Sequence, residues 1–240
     1  MKNQTRWLAV FDSHGDMIDK NARDAVLQFS KHWKPSLVIH GGDFMDLRAL
    51  RRGATDEERD EGVKNDIEAG IDFVRSIKTN VLLWGNHDQR LVRESSLGNG
   101  RKREYANLVL DQIYDRLEGI EHIPYGKRKG VYKLGNYRVV HGYHAGLYAH
   151  RQAAQVYGNV MMGHVHTNAQ FDDPAFDKRT GISVGCLCNL DMEYVEAQAN
   201  TLRWSHGFAY GIISHGETIV WLARKLSSGL WILPSEIRTI

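Results

Sequence analysis

Cysteine and proline are scarce in this chain of 240 residues, which has two cysteines and four prolines. Cys186 and Cys188 are separated by one residue, a spacing that is poor for a mutual disulfide and excludes a disulfide framework. We expect both thiols to be buried and inert. The shortage of proline and the lack of a Ser/Gly/Pro-rich stretch argue against an interdomain linker, so residues 1–240 are predicted to form a single domain.

Net charge and long apolar runs are lacking too. The 31 basic and 29 acidic residues give a formal charge of +2, which supplies no general attraction for polyanions. The N-terminal apolar run Trp7–Phe11 is too short for the core of a signal peptide or for a membrane-spanning helix. We therefore expect a cytoplasmic protein with no membrane partner, and these features leave its oligomeric state open.

The first half of the chain alternates apolar runs with amphipathic segments, a pattern typical of βαβ units around a mainly parallel sheet. The apolar runs are Trp7–Phe11, Ser36–His40 and Asn80–Trp84. Between them, residues 21–33 and 56–78 have apolar side chains at spacings of three and four, which predicts crossover helices.

The second half has shorter β-like runs separated by tight turns, which favours antiparallel pairing. Two more helices are predicted, at about 103–117 and 145–156. Segment 94–103, with its glycines among charged residues, is the most loop-like part of the chain and a candidate lid. Together the two halves predict an α/β sandwich. The predicted strands of the second half are 131–134, 137–140, 159–162, 182–184, 208–213 and 218–223.

Polar clusters rich in Asp, Asn and His follow five of the predicted strands. Because ligands in open α/β sheets bind beyond the carboxyl ends of strands, we expect these clusters to meet at one edge. They are Asp12-Ser13-His14, Gly41-Gly42-Asp43, Gly85-Asn86-His87-Asp88, His141-Gly142 and Gly163-His164-Val165-His166.

The clusters contain a mixed set of oxygen and nitrogen ligands, without a thiolate. Such a set suits cations such as Mn²⁺, Fe²⁺ or Zn²⁺. It has too many members for one tetrahedral ion, so two ions that share a carboxylate are predicted. The candidate ligands are Asp12, His14, Asp43, Asn86, His141, His164 and His166.

The five clusters, in this order between residues 12 and 166, resemble the motif set of the calcineurin-like metallophosphoesterase superfamily. The resemblance implies hydrolysis of a phosphate ester through a metal-bridging hydroxide, without a covalent phosphoenzyme. Manganese is the favoured cation, with iron, zinc, nickel and magnesium as alternatives. The implied metal sites are Asp12, His14 and His166 for one ion, Asn86, His141 and His164 for the other, and Asp43 as the bridge.

The resemblance also implies a four-layer α/β/β/α sandwich with two mixed β-sheets packed face to face. The C-terminal strands within residues 180–225 are expected to complete the second sheet. His87 is implied to be the histidine that binds no metal and instead stabilises charge on the phosphoryl oxygens or protonates the leaving alkoxide. Asp88 beside it is expected to orient the ring and raise its pKa.

Arg48 and His144 are candidate substrate contacts. Arg48 ends the string Gly-Asp-x-x-Asp-x-Arg, which is similar to a protein Ser/Thr phosphatase string except that Leu47 separates the arginine from the second aspartate. It either contacts substrate or belongs to a solvated helix start. His144 lies three residues after His141 and either reaches the site or caps the following helix.

Basic clusters at 48–52, 101–103 and 127–129 would form a phosphate-binding rim if they surround the site mouth. We therefore predict a phosphodiester, nucleotide or nucleic-acid substrate. The alternatives are a phosphomonoesterase for small metabolites or proteins and a non-catalytic scaffold of the same fold, against which the complete ligand set argues. Four residues are candidates either for stacking on bases or for core packing: Trp204, His206, Phe208 and Tyr210.

Overall fold

The computed structural model describes residues 4–174, 178–192 and 199–233. Its strands are β1 (Gln4–Val10), β2 (Leu37–His40), β3 (Val81–Leu83), β4 (Glu121–Ile123), β5 (Val131–Leu134), β6 (Tyr137–Val140), β7 (Val160–Met162), β8 (Asn168–Asp172), β9 (Thr180–Val184), β10 (Gly207–Ser214), β11 (Glu217–Lys225) and β12 (Trp231–Ile232). Its helices are α1 (Lys20–Trp33), α2 (Asp56–Glu61), α3 (Lys64–Ser76), α4 (Gln89–Leu97), α5 (Gly100–Arg116) and α6 (Ala149–Tyr157). None of these helices has the length and apolar character that a bilayer crossing requires.

The strands form two mixed sheets. A seven-stranded sheet has the order β12-β11-β10-β1-β2-β3-β4, in which β1 to β4 are parallel and β10 to β12 are antiparallel. A five-stranded sheet has the order β5-β6-β7-β9-β8, with parallel pairing through β6, β7 and β9. The expectation of mainly antiparallel pairing in the second half is wrong for these three strands, since α6 supplies a crossover between β6 and β7.

Successive side chains of β1 point to opposite faces of the sheet, so the strand packs against two different hydrophobic cores. Trp7 and Ala9 face the second sheet and pack in a cluster with Met161 and Ile182, whereas Leu8 faces α1 on the other side. Helices α3, α4 and α5 continue this outer layer, and α6 covers the outer face of the second sheet. The implied four-layer α/β/β/α sandwich is thus confirmed.

The expected place of the C-terminal strands is correct only for β9. Strands β10 and β11 belong to the first sheet, where β10 pairs antiparallel with β1. Burial explains this position, because both faces of β10 are covered: Phe208 and Tyr210 pack in the α1 core while Ala209 packs between the sheets.

The predicted helix 56–78 is two helices, α2 and α3, separated at Gly62, whose φ of 70° lies in the left-handed region. The predicted loop 94–103 is mostly helical. Helix α4 ends at Leu97, and α5 begins at Gly100 after Asn99, whose side chain accepts a hydrogen bond from the Lys102 amide. The glycines therefore mark a helix boundary, and the loop prediction for this segment is wrong. Strands β4, β8 and β12 were not predicted.

Gly181 of β9 is the position where α6 approaches the second sheet most closely. A Cβ there would lie 2.1 Å from the His150 carbonyl oxygen, a backbone atom that cannot rotate away. We expect Gly181→Ala to lower the free energy of unfolding by about 1–3 kcal/mol, as overpacking does. Gly100→Ala is the matched control, because no atom lies within 4 Å of its added Cβ. Urea denaturation of both variants measures the difference, and equal stabilities would contradict the packing described for α6.

Candidate metal centre

The five polar clusters meet at one edge, between the two sheets. Backbone hydrogen bonds connect their loops: the Asp12 amide donates to the Gly42 carbonyl at 3.1 Å, and the His14 amide donates to the Asp43 carbonyl at 2.9 Å. The Gly163 amide donates to the His141 carbonyl at 2.8 Å. The convergence expected from strand ends is therefore present.

Left-handed backbone conformation is concentrated in these loops. Nine non-glycine residues among those described have positive φ, and five of them belong to the candidate ligand set. Such conformations cost about 1–3 kcal/mol each in side-chain-bearing residues and cluster at functional sites. Asp and His tolerate them better than most residues. The five are Asp12, His14, Asp43, His164 and His166.

Asp43 lies at the centre of the site and is almost completely buried. Its Oδ2 atom is 3.2 Å from His141 Nε2 and 3.9 Å from His14 Nε2, and its Oδ1 atom accepts a hydrogen bond from the His87 amide at 2.8 Å. Burial alone would raise the pKa of this carboxyl, but the imidazoles, His141 foremost, hold it well below its ordinary value. One carboxylate thus contacts ligands from both implied sites.

On one side of Asp43 lie Asp12, His14 and His166. The Nε2 atoms of the two imidazoles are 3.2 Å apart, and Asp12 Oδ1 is 3.6 Å from His166 Nε2. Asp12 Oδ2 accepts a hydrogen bond from the His164 amide at 2.9 Å. Asp12 Oδ1 is buried and has no hydrogen-bond partner among the described residues.

On the other side lie Asn86, His141 and His164. His141 Nε2 is 2.9 Å from Asn86 Oδ1, and the rings of His141 and His164 have centroids 5.4 Å apart. Burial opposes protonation of His141, but Asp43 raises its pKa to about 9. The Asp43 carboxylate therefore favours positive charge at the position where a cation would bind.

The donor set fits divalent cations. Ligand atoms of Asp43, His141 and His164 lie within 4.8 Å of one another, as do those of His14, His166 and Cys188. A buried carboxylate oxygen without a hydrogen-bond donor, Asp12 Oδ1, is the kind of atom that a metal ion satisfies. The chemistry of the residues is thus that expected of a metal centre.

His87 is anchored by Asp46. Its Nδ1 atom is 2.9 Å from Asp46 Oδ1, and the same oxygen is 2.8 Å from His14 Nδ1. Burial lowers the pKa of His87, but Asp43 and the hydrogen bond to Asp46 more than offset this, so the net shift is upward. Asp46 was noted in the sequence only as part of the Gly-Asp-x-x-Asp string, because that string does not show which imidazoles its carboxylate reaches.

Asp88 does not orient His87, contrary to the sequence-based expectation. Its carboxylate accepts hydrogen bonds from the backbone amides of Asp43, Met45 and Gly85 at 2.7 to 3.0 Å. Burial, then the nearby charge of Asp43, raises the pKa of Asp88 to about 7. Asp88 therefore connects the second and third loops rather than orienting His87.

The two candidate substrate contacts, Arg48 and His144, differ in their surroundings. The Arg48 guanidinium donates to Asp16 at 2.7 and 3.0 Å and also contacts Glu61. His144 does not cap α6, which begins at Ala149, and it is absent from the groups of metal-ligand atoms found among the described residues. Arg90, which the sequence did not single out, lies beside the site with Nη2 at 3.3 Å from His87 Nε2. Its only sequence signal is its place three residues after His87.

Other sequence candidates divide between core and surface. Phe208 and Tyr210 pack in the core, and His206 Nε2 donates to the Cys188 carbonyl at 2.9 Å, so none of these three is a stacking surface. Trp204 is half-buried, with its ring centroid 4.2 Å from that of His166. Both cysteines are buried and free, as expected.

The chain belongs to the calcineurin-like phosphoesterase family, whose model matches residues 11–179. Members of this family are metal-dependent phosphoesterases, so a phosphate ester is the substrate class that the match implies. No curated protein sequence matches the chain significantly.

Solved structures with the same fold are distant in sequence. Vps29 of Chaetomium thermophilum has 12% identity and a TM-score of 0.50 over 95% of this chain and 92% of its own. A metallophosphoesterase of Sphaerobacter thermophilus has 17% identity and a TM-score of 0.46 over 88% and 84%. A predicted phosphoesterase of Streptococcus pneumoniae has 13% identity and a TM-score of 0.40 over 97% and 98%.

Asp46→Asn tests the anchoring carboxylate. Removing the Asp46 charge weakens its hydrogen bonds to the His14 and His87 rings. Loss of a hydrogen-bond partner of a metal ligand typically lowers metal affinity about 10–100-fold. We expect this loss in Mn²⁺ titrations followed by calorimetry. Asp16→Asn is the control, because the Asp16 carboxylate contacts Arg48 outside the ligand set and its removal should leave affinity unchanged. Wild-type affinity in Asp46→Asn would contradict the anchoring role.

Proposed function

We propose that this protein hydrolyses a phosphodiester or nucleotide with two divalent cations, Mn²⁺ being favoured, held by the seven candidate ligands. The observation that carries the proposal is the buried Asp43 carboxylate, which contacts His14 on one side and His141 on the other. Two divalent cations, when bound there, neutralise phosphoryl charge and lower the pKa of a coordinated water. Asp12, His14 and His166 would hold one, and Asn86, His141 and His164 the other.

Hydrogen bonds at the far ring nitrogens prepare the histidines for this role. His141 Nδ1 lies 3.1 Å from the Gly41 carbonyl oxygen, which can only accept, so Nδ1 carries one proton, and a cation would take the place of the second proton at Nε2. His14 is held in the same way, with Nδ1 donating to Asp46 and Nε2 directed at His166. Both rings are thereby oriented before any cation binds.

His87 is proposed as the acid that protonates the leaving oxygen. Asp46 fixes its Nδ1, which leaves Nε2 on the site side, 4.0 Å from Asp43 Oδ2. The raised pKa of His87 favours the protonated form that an acid needs. Asp88 contributes only through the loop positions that it holds.

A diester or nucleotide is favoured over a phosphomonoester because basic side chains from two separate clusters line one cavity. Arg51 and Arg52 line a cavity of about 330 Å³ together with Lys102 of α5 and Leu91 of α4. Leu91 lies in the first turn of α4, which starts two residues after His87, the proposed acid.

The second candidate function is that of a binding scaffold, since the Vps29 likeness shows that the fold is shared with a vacuolar sorting protein. The completeness of the ligand set and the anchored His87 favour the enzyme. A scaffold has no need for a positioned acid beside the candidate ligands.

Metal removal tests the proposed chemistry. Chelator treatment followed by dialysis should abolish cleavage of bis-(p-nitrophenyl) phosphate, and added Mn²⁺ should restore it, because the charge of the attacked phosphoryl group is no longer neutralised without cations. p-Nitrophenyl phosphate assayed in parallel separates diesterase from monoesterase activity. Cleavage that is unaffected by metal removal would refute the proposal, and higher rates on the monoester would refute the diester preference.

His87→Ala separates the acid from the metal ligands. We expect both cations to be retained and kcat to fall about 10²–10⁴-fold, the usual cost of losing a positioned acid. His215→Ala, which removes an exposed imidazole on the β10–β11 turn, is the control and should keep wild-type kcat. Elemental analysis gives the metal content of each variant. Unchanged turnover in His87→Ala would exclude the acid role.

A further inference from the structure

A cavity of about 290 Å³ opens directly beside the candidate metal centre, and His164 forms part of its lining. The N-terminal region of α6, including Leu147 and His150, forms one wall, and Arg203 and Trp204 form another. Ser183 of β9 also lines it. Since one proposed ligand faces this space, a group placed in the cavity would be joined to a phosphate at the metal centre by only a few bonds.

The aromatic wall of the cavity is held in place by backbone contacts. Ser205, next to Trp204, donates its amide to the His166 carbonyl at 2.7 Å, and its hydroxyl accepts a hydrogen bond from the Asn168 amide at 2.8 Å. The Trp204 amide donates to Thr201 at 2.8 Å. The indole packs on the His166 ring, and because it stays half-buried, it also presents surface to the cavity.

Polar side chains also line the cavity, namely His150, His164, Thr167, Ser183 and Arg203. Ser183 is completely buried, and its hydroxyl has no hydrogen-bond partner among the described residues, which is costly unless a ligand supplies one. The Thr167 hydroxyl is already used, because it donates to the Val165 carbonyl at 3.0 Å. The cavity thus offers one indole surface, aliphatic surface from Leu147 and Val165, the polar side chains of His150, His164 and Arg203, and one free hydroxyl.

We propose that this cavity binds the nucleobase of the substrate, with the base stacked on Trp204 and hydrogen-bonded to Ser183. The inference rests on the proposed phosphoesterase function and specifies a nucleoside phosphate ester as its substrate. A flat aromatic ring with hydrogen-bonding atoms at its edge matches a lining that combines an indole face with polar side chains. The volume, near the lower end of the roughly 300–1,000 Å³ typical of ligand pockets, suits a single small group rather than a peptide.

Two esters with the same leaving group test the base site. Water converts the p-nitrophenyl ester of thymidine 5′-phosphate into thymidine 5′-phosphate and p-nitrophenol, and converts methyl p-nitrophenyl phosphate into methyl phosphate and p-nitrophenol. The two diesters differ in the nucleoside. The ratio of their kcat/KM values in the Mn²⁺-loaded protein should favour the nucleoside ester about 5- to 150-fold, the range of one base–aromatic stacking contact.

Three variants separate stacking from support of His166. Trp204→Ala should bring the ratio close to one, and Trp204→Phe should keep most of it because the aromatic face remains. Ala145→Trp, at an exposed position of the cavity lining outside the ligand set, should also bring the ratio close to one by filling the space. A wild-type ratio near one, or a ratio that survives both Trp204→Ala and Ala145→Trp, would overturn the base site. An equal loss of kcat/KM on both esters in Trp204→Ala would also overturn the base site.

A binding measurement without metal gives a readout that does not depend on turnover. Adenosine has no phosphate, and saturation-transfer NMR on the metal-free protein should detect its binding to wild type and Trp204→Phe but not to Trp204→Ala or Ala145→Trp. Binding that is equal in all four proteins, or absent from all, would contradict the inference. If adenosine binds as expected but neither ester is hydrolysed by the Mn²⁺-loaded protein, the proposed phosphoesterase function fails and the base site stands.

Discussion

The burial of two carboxylates among imidazoles is the constraint on which the rest of this structure depends. Asp12 and Asp43 are almost fully buried, and neither has a lysine or arginine partner among the described residues. Their compensation comes from backbone amides and from histidines, as in the 2.8 Å hydrogen bond from the His87 amide to Asp43. Buried charge is costly unless it is paired or coordinates a metal. The loops around these residues are therefore built to keep a negative centre in place.

The left-handed backbone conformations of these loops are energetically unfavourable, and packing and hydrogen bonds elsewhere in the fold offset their cost. Residues such as Asp12 and His166 adopt left-handed φ values of 52° and 53° in the loops that follow β1 and β7, strands of two different sheets. The inter-sheet core holds the strand ends firmly, and Asp88 joins two of the loops through three amides. Each loop of the site is thus hydrogen-bonded to a neighbouring loop and not only to its own strand.

Much of this could be predicted from sequence because the relevant signals are local. The Asp, Asn and His clusters follow strand-forming runs, and the α/β alternation places them at one edge. The predictions that were wrong are those that depend on pairing between strands far apart in sequence. Strand β10 lies beside β1 because both of its faces find helix or sheet cover, a fact of packing between segments about two hundred residues apart in sequence. The pattern of β10 itself fits either sheet.

The same limit applies inside the site. Asp88 is adjacent to His87 in sequence, yet its carboxylate accepts hydrogen bonds from loop amides. The His87 ring is instead hydrogen-bonded to Asp46, which lies in another loop. Adjacent residues at a helix start point in different directions, so sequence proximity predicted the wrong carboxylate. The loop predicted at 94–103 is wrong for a related reason, since glycine and asparagine serve as helix boundary residues as readily as loop residues.

Anomalous diffraction from crystals of the Mn²⁺-loaded protein tests the central claim most directly. We expect two anomalous peaks on either side of Asp43, about 3.5–4 Å apart as in other two-metal sites, with His141 Nε2 at one peak and His14 Nε2 at the other. A single peak, or peaks that leave Asp43 without a bond to either ion, would contradict the dinuclear centre.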